Sequence, residues 1–169
     1  MSETFKEISP QQIKENFIDL IGSKWMLITA GKIDFFNTMT ASWGGAGFLW
    51  NKPVVFCFIR PERYTYQFME ENTFFSLSFF KEKYRDALKI CGTHSGKNFD
   101  KLKTAKITPI EGVTKTVVFK EASMIFECKK IYFDDIKKHN ILDYDIFQNY
   151  EDSGFHRMYI GEILYCGIK

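Results

Sequence analysis

Apolar residues along the chain recur in short runs that are typical of β-strands. Alternation is clearest in the run at 123–133, where Met124, Phe126 and Cys128 fall on one side and the residues between them on the other. The runs that we predict to be strands are 25–31, 35–42, 53–59, 73–80, 123–133 and 156–168.

Helical spacing is confined to four segments. The first begins with Ser9 as a cap, Pro10 at the first helical position and Gln12 completing a capping box. An apolar face follows at helical spacing, and Gly22 ends the run; the face consists of Ile13, Phe17, Leu20 and Ile21. We therefore predict helices at about 10–21, 62–72, 81–92 and 97–105.

The order of these elements favours a mainly β protein. Hairpins or single helices join most strands, without regular alternation of strand and helix, which favours a closed antiparallel barrel with a few peripheral helices. We expect residues 1–169 to form one domain, with the barrel at about 24–168.

Composition narrows the classes of partner. The net charge is only +2, from 23 basic and 21 acidic residues, so neither a nucleic-acid nor a membrane partner is expected. The N-terminus has no apolar targeting region and no run approaches the roughly 20 residues of a membrane span, so we expect a cytoplasmic protein. The four cysteines form no C-x-x-C motif and are expected to be buried free thiols.

Common chemical motifs fail when they are tested. A G-x-G-x-x-G pattern laid from Gly45 meets Trp50 at its third glycine, and the segment "CGTHSGK" lacks the first glycine of a P-loop. The three histidines are widely spaced, so no metal site is expected, and no G-x-S-x-G elbow supports a hydrolase. We interpret the glycines of "GGAGFLWNKP" as a tight connection between strands that binds nothing.

Two segments could instead bind a phosphate. "RPERYT" offers Arg60, Arg63 and Thr65, and "SGKNFDK" offers four more groups, at Ser95, Gly96, Lys97 and Lys101. Guanidinium groups, hydroxyls and amides at a helix start are the usual ligands of phosphate oxygens. The alternative is that these are ordinary solvated surface charges.

The strand "NTMTASW" could carry a flat ring. Small side chains let a ring lie close to the backbone, whose N–H and C=O groups can bond the edge of a heterocycle, and Trp43 could cover the ring. The alternative is a threonine-rich edge strand with no ligand.

Four motifs together resemble a known family. "NTMTASWGG", "RPERYTYQF", "CGTHSGKNFDK" and "HRMYIGEI", in this order, are similar to the flavin reductase-like, FMN-binding split-barrel family, over about residues 20–166. The resemblance implies a Greek-key split β-barrel that is usually a homodimer and binds FMN.

The resemblance also implies a set of site residues. The isoalloxazine would lie along Asn37, Thr38, Met39, Thr40, Ala41 and Ser42, with Trp43 beside it and Cys57 and Phe58 on the next strand. The ribityl phosphate would meet Arg60, Arg63, Thr65, Ser95, Gly96, Lys97 and Lys101. His156, as a candidate catalytic residue, and Tyr159 would come from the last strand. Lys97 stands where many relatives carry Arg, which keeps the charge but loses the planar fork.

The function implied is an NAD(P)H:FMN oxidoreductase, which passes hydride to flavin N5 and could feed a partner oxygenase. Two alternatives stay open: a flavoredoxin-like electron carrier that exchanges electrons with redox proteins, and an FMN-binding module without catalysis.

Overall fold

The computed structural model of the chain describes residues 5–151 and 153–169. Its strands are β1 (Lys6–Glu7), β2 (Met26–Lys32), β3 (Phe35–Ala41), β4 (Gly44–Leu49), β5 (Lys52–Ile59), β6 (Phe74–Phe79), β7 (Pro109–Glu111), β8 (Val117–Phe119), β9 (Met124–Asp135) and β10 (Arg157–Ile168). Its α-helices are α1 (Tyr64–Glu71), α2 (Arg85–Thr93) and α3 (Lys101–Ala105). Short 3-10 turns lie at Pro10–Gln12, Glu82–Tyr84, Lys138–Asn140 and Tyr144–Tyr150, and a π-helical turn at Ile18–Ser23.

One antiparallel sheet carries the fold. Its strand order is β3-β2-β6-β9-β10-β5-β4, and β1 also pairs with β10. The chain leaves the β2–β3 hairpin at one edge, forms the β4–β5 hairpin at the other, and returns as β6 beside β2. Contacts between β3 and β5 bring the two edges of this curved sheet together. The predicted mainly β split barrel with peripheral helices is therefore confirmed.

Alternation along the strands divides the apolar residues between two cores. Met124, Phe126 and Cys128 pack inside the barrel, whereas Ile125 packs in a second core beneath α2, α3 and the β7–β8 hairpin. Large aromatic rings fill both, and Phe79 and Phe126 stack edge to face at 5.3 Å. Each such buried ring contributes about 1.5–3 kcal/mol. Among the described residues, however, only seven aromatic side chains are buried and nine are exposed, so the core explains only part of the aromatic content.

The predicted N-terminal helix is wrong as a continuous element. Gln12 Oε1 does accept the Ser9 N–H at 2.9 Å, as a capping box requires, but the helical turn ends there. Asn16 Oδ1 then accepts the N–H of Ile18 at 3.0 Å and starts a separate π-helical turn. A side chain that bonds the nearby backbone in this way competes with helix continuation. The helices at 62–72 and 81–92 are confirmed, and the third shortens to α3.

The glycine-rich connection is also different from the prediction. Gly44–Leu49 forms strand β4 along β5, and the turn itself is Trp50–Asn51, both with positive φ. Gly45 is required because a Cβ there would overlap the Phe56 ring. Close approach of a neighbouring ring, rather than a loop, explains this glycine.

All four cysteines are buried and unpaired, as expected from their spacing. Within the described residues, no helix has both the length and the apolar character needed to cross a membrane.

Candidate functional site

A groove of about 270 Å³ opens where the end of β3 meets β5 and β10. The segment Met39–Trp43 forms one wall, and Phe58, Arg60, Arg63 and His156 form the rest. The Trp43 ring lies 4.5 Å from the His156 ring, at an angle of 42°. The groove therefore combines small and aromatic side chains with cations, which suits a flat ring that carries polar edges.

The hydroxyls of β3 are already engaged within the protein. Thr38 Oγ1 lies 2.8 Å from Thr29 Oγ1, and Thr40 Oγ1 donates to the Leu88 carbonyl at 2.5 Å. Met39 and Ala41 pack into the barrel core. What β3 offers to a ligand is consequently its backbone, together with the flat surface left by these short side chains.

A second, smaller pocket of about 150 Å³ continues from this groove along β3. Arg63 at the N-terminal cap of α1 lines both spaces, and the buried Thr65 follows in the first turn. Asn37 Nδ2 donates to Thr65 Oγ1 at 2.7 Å, which leaves the Thr65 hydroxyl proton free to be donated to a ligand. Ser95 and Lys101 close the pocket from the α2–α3 connection.

Lys101 is a buried cation in this pocket. Its side chain is 4% exposed, and Nζ donates to the Thr38 carbonyl. Burial, together with the charge of Arg63, lowers the Lys101 pKa to about 8 although the Cys91 thiol acts in the opposite direction. Burial also lowers the pKa of Arg63. Within residues 5–151 and 153–169, neither cation has a carboxylate within 4 Å.

The carboxylate that lines this pocket is bonded elsewhere. Glu62 Oε1 accepts the Gly154 N–H at 2.6 Å, and this bond holds the Glu62 pKa below its ordinary value. The pocket thus keeps two uncompensated cations and a free hydroxyl at the start of a helix, which is the donor set of a phosphate site.

Gly96 and Lys97 border a neighbouring space of about 430 Å³, which shares Asn37 and Lys101 with this pocket. A Cβ at Gly96 would overlap Asn37 Oδ1 and lie 3.4 Å from Lys101 Cε, so only glycine allows this close approach. Lys97 is exposed, and its backbone N–H bonds Ser95 Oγ at 3.3 Å. The local turn, more than the Lys97 charge, therefore shapes the pocket.

His156 forms a hydrogen-bonded cluster at the other end of the groove. Arg60 Nε donates to His156 Nε2 at 3.3 Å, and His156 Nδ1 lies 3.2 Å from the Tyr150 hydroxyl. Burial, with Arg60 adding to it and Glu62 opposing it, lowers the His156 pKa to about 4. The imidazole is therefore neutral near pH 7. Because Nε2 accepts the hydrogen bond from Arg60, the ring proton resides on Nδ1.

Comparison with known proteins identifies the family. The model of the "Flavin reductase like domain" matches residues 19–168, which is most of the chain. The chain belongs to this family. A search of curated proteins found no match.

Solved structures of other members share the fold of this flavin reductase-like domain. An FMN-binding protein from Thermus thermophilus, bound to p-hydroxybenzaldehyde, has a TM-score of 0.69 at 17% identity, covering 97% of this chain and 82% of its own. Flavoredoxin of Desulfovibrio vulgaris has a TM-score of 0.67 at 24% identity, and the match covers 86% of this chain and 69% of flavoredoxin. The NADH:FAD oxidoreductase of Streptomyces globisporus, in complex with NAD and FAD fragments, has a TM-score of 0.64 at 16% identity. The match covers 86% of this chain and 74% of the oxidoreductase.

Most of the predicted site residues of this flavin reductase-like domain gather in the two adjoining spaces. Thr38, Gly96 and Lys97 line the neighbouring space of about 430 Å³ instead. Cys57 and Tyr159 line none of these three spaces. They are direct partners across β5 and β10, are fully buried and face the barrel core, and Tyr159 donates its hydroxyl to Glu70 at 2.6 Å. Cys57 and Phe58 are neighbours in one strand, so they face opposite sides, and only Phe58 reaches the groove.

Three residues near the site of this flavin reductase-like domain were not predicted from the sequence. Tyr150 bonds His156, the Asn149 carbonyl accepts Arg60 Nη2 at 2.7 Å, and Glu62 holds Gly154. Of these three residues, only Tyr150 had a signal in the sequence, because it lies six residues before the candidate His156. Its contact with Arg60 joins residues 90 positions apart and has no periodic pattern in the sequence.

Proposed function

We propose that this flavin reductase-like domain binds FMN along β3 and acts as an NAD(P)H:FMN oxidoreductase. The observation that carries the proposal is the pair of cations, Lys101 and Arg63, beside an aromatic-lined groove; in the described part of the chain, neither has a carboxylate partner. A flavin mononucleotide has the matching parts, a flat ring at one end and a phosphate at the other. The FMN-binding protein and the NADH:FAD oxidoreductase among the fold relatives support the same choice of ligand.

The residues present fit the phosphate end. Arg63 can donate two parallel bonds to phosphate oxygens, Lys101 adds a charge from below, and the Thr65 hydroxyl adds a third donor. A phosphate bound beside Lys101 compensates the buried charge of this side chain, so phosphate binding also removes the free-energy cost of burying Lys101. Ser95 also lines this pocket.

The residues at the ring end exclude water and fix the ring. Trp43 and Phe58 supply apolar cover, and the unpaired backbone of β3 supplies bonds to a polar ring edge. Bound FMN would supply the redox chemistry by accepting hydride from NAD(P)H. The neutral His156 would orient the nicotinamide, with Arg60 and Tyr150 holding its ring in place, and would not act as an imidazolium acid.

The decisive experiment is anaerobic spectroscopy of the purified protein saturated with FMN. We expect rapid bleaching of the flavin absorbance on addition of NADH or NADPH. Slow bleaching by both nucleotides, with fast reduction by a redox protein, would instead support a flavoredoxin-like electron carrier. Bound flavin that resists both reductants would leave a non-catalytic FMN-binding module, and failure to take up FMN would refute the proposal.

The proposal extends to a homodimer located in the cytoplasm, with residues 1–169 as one domain. Exposed rings support a self-associating surface: Trp50 at the β4–β5 turn packs 5.8 Å from Tyr132, and Phe48 of the same hairpin is also largely exposed. Light scattering on the same FMN-saturated sample would then give the mass of two chains.

A further inference from the structure

A second groove lies beside the site and is not used by the proposed flavin. It encloses about 870 Å³ under the segment that leads into β10, and its walls include the aromatic rings of Tyr144, Phe147, Tyr150 and Phe155. Tyr150 and Phe155 stack at 4.5 Å, and Lys138 Nζ lies 5.8 Å from the centre of the Phe147 ring. The groove is therefore mainly aromatic, and its polar lining consists of Lys138, His139 and the carboxylate of Glu151.

Tyr150 connects this aromatic groove to the flavin groove. Its ring lines the aromatic groove, while its hydroxyl contacts His156, which lines the flavin groove. The Arg60 guanidinium lies between the two, 5.7 Å from the centre of the Tyr150 ring and bonded to His156. Two aromatic spaces are thus separated by a cation.

This arrangement matches a ligand with two flat rings joined by a negatively charged linker. We propose that the aromatic groove binds the adenylate half of the nicotinamide dinucleotide, with the pyrophosphate near Arg60 and the nicotinamide in the flavin groove. The inference rests on the proposed function and names the part of the chain that recognises the reductant. Adenine stacks on the Phe147 ring, beside the Lys138 ammonium group.

The same contacts reassign Arg60. It was expected at the ribityl phosphate, but Nη2 donates to the Asn149 carbonyl at 2.7 Å and Nε to His156, so two of its donors hold the wall between the grooves. Under this proposal, the donors of Arg60 that these two bonds do not use bind the pyrophosphate linker. Arg63, without such bonds, stays with the flavin phosphate.

The test compares NADH with reduced nicotinamide mononucleotide, which keeps the nicotinamide but lacks the adenylate half. Flavin reduction is followed anaerobically in the FMN-saturated protein. In Phe147→Ala we expect the half-saturating NADH concentration to rise about tenfold or more, as for one lost base stack. The value for the mononucleotide should stay within about twofold. Leu142→Ala is the matched control, because Leu142 belongs to the same segment, is 92% exposed and lies outside the groove.

Two results would overturn the proposal: an equal rise for both reductants, or no rise for NADH in Phe147→Ala. FMN titration of each variant checks that the flavin site is intact. If neither reductant bleaches the wild-type flavin, the proposed reductase function fails, and calorimetric titration with ADP-ribose tests the groove by itself. Binding that Phe147→Ala weakens about tenfold supports the groove, whereas absent or unchanged binding refutes it.

Discussion

Replacing Lys101 with methionine tests the phosphate pocket most directly. Methionine keeps the length of the side chain and removes its charge. Because Lys101 is 4% exposed, burial lowers its pKa from 10.5 to about 8, with the Arg63 charge lowering it further and Cys91 opposing. That fall corresponds to about 3 kcal/mol at about 1.36 kcal/mol per pH unit. The flavin-free protein therefore carries a destabilising cation.

The sign of the effect follows from linkage. The folded pKa lies below the unfolded one, so the destabilisation is complete below pH 8 and disappears as pH rises from about 8 towards 10.5. At pH 7 the substitution removes this cost but also the bond to the Thr38 carbonyl, worth about 1 kcal/mol. We expect flavin-free Lys101→Met to be about 2 kcal/mol more stable than wild type in urea unfolding.

The same Lys101→Met substitution should weaken FMN binding although it stabilises the flavin-free protein. A lost charge-assisted bond of about 1.5–3 kcal/mol predicts FMN binding weaker by about 10- to 150-fold, measured by quenching of flavin fluorescence. Riboflavin, which lacks the phosphate, should bind wild type and variant equally. Lys97→Met is the control, since its exposed charge should change FMN affinity by at most a few-fold. Equal losses for FMN and riboflavin, or an unchanged FMN affinity, would refute the phosphate assignment.

Two further outcomes follow from buried ionisable groups. With a pKa of about 4, His156 should show no imidazole titration between pH 5.5 and 8 by NMR. The rate of flavin reduction should likewise show no step from His156 in this pH range. An imidazole titration near pH 6.5 would contradict the assignment of a neutral ring. Glu127 is fully buried and accepts bonds from Val113 N–H at 2.8 Å and from the Thr114 and Thr116 hydroxyls. Glu127→Gln should lower the free energy of unfolding by about 2–3 kcal/mol in urea, and Glu121→Gln, at a more exposed carboxylate, by about 1 kcal/mol or less; equal effects would show that burial does not matter.

Much of the fold was predictable because local patterns and tertiary packing agree. The alternation Met124, Phe126, Cys128 assigned one face of β9 correctly, since both faces of that strand pack against separate cores. The prediction of the first helix was wrong because local pattern and final structure disagree there. A capping box at Ser9 starts a turn, but Asn16 bonds the backbone again four residues after Gln12 and begins another.

The candidate site was predictable only in part. The segments around Arg63 and Lys101 meet because α1 packs on β3 and Lys101, at the start of α3, bonds the Thr38 carbonyl of β3. The family resemblance implied this meeting. Strand alternation alone is enough to separate Cys57 from Phe58, because adjacent residues of a strand face opposite sides. The junction of Arg60, Tyr150 and His156 could not be predicted, because it depends on how the segment before β10 folds back over the α1 cap.

The structure of the threonine-rich strand bears on both interpretations of "NTMTASW". Strand β3 is an edge strand that pairs only with β2 in the described sheet, so every second residue directs its backbone groups away from the ladder. The hydroxyls of Thr38 and Thr40 bond the protein, and Lys101 Nζ covers the Thr38 carbonyl. An exposed edge is a liability for aggregation unless something covers it. A heterocycle bonded along the rest of this edge would serve as that cover, and this is the position that our proposal gives to the flavin ring.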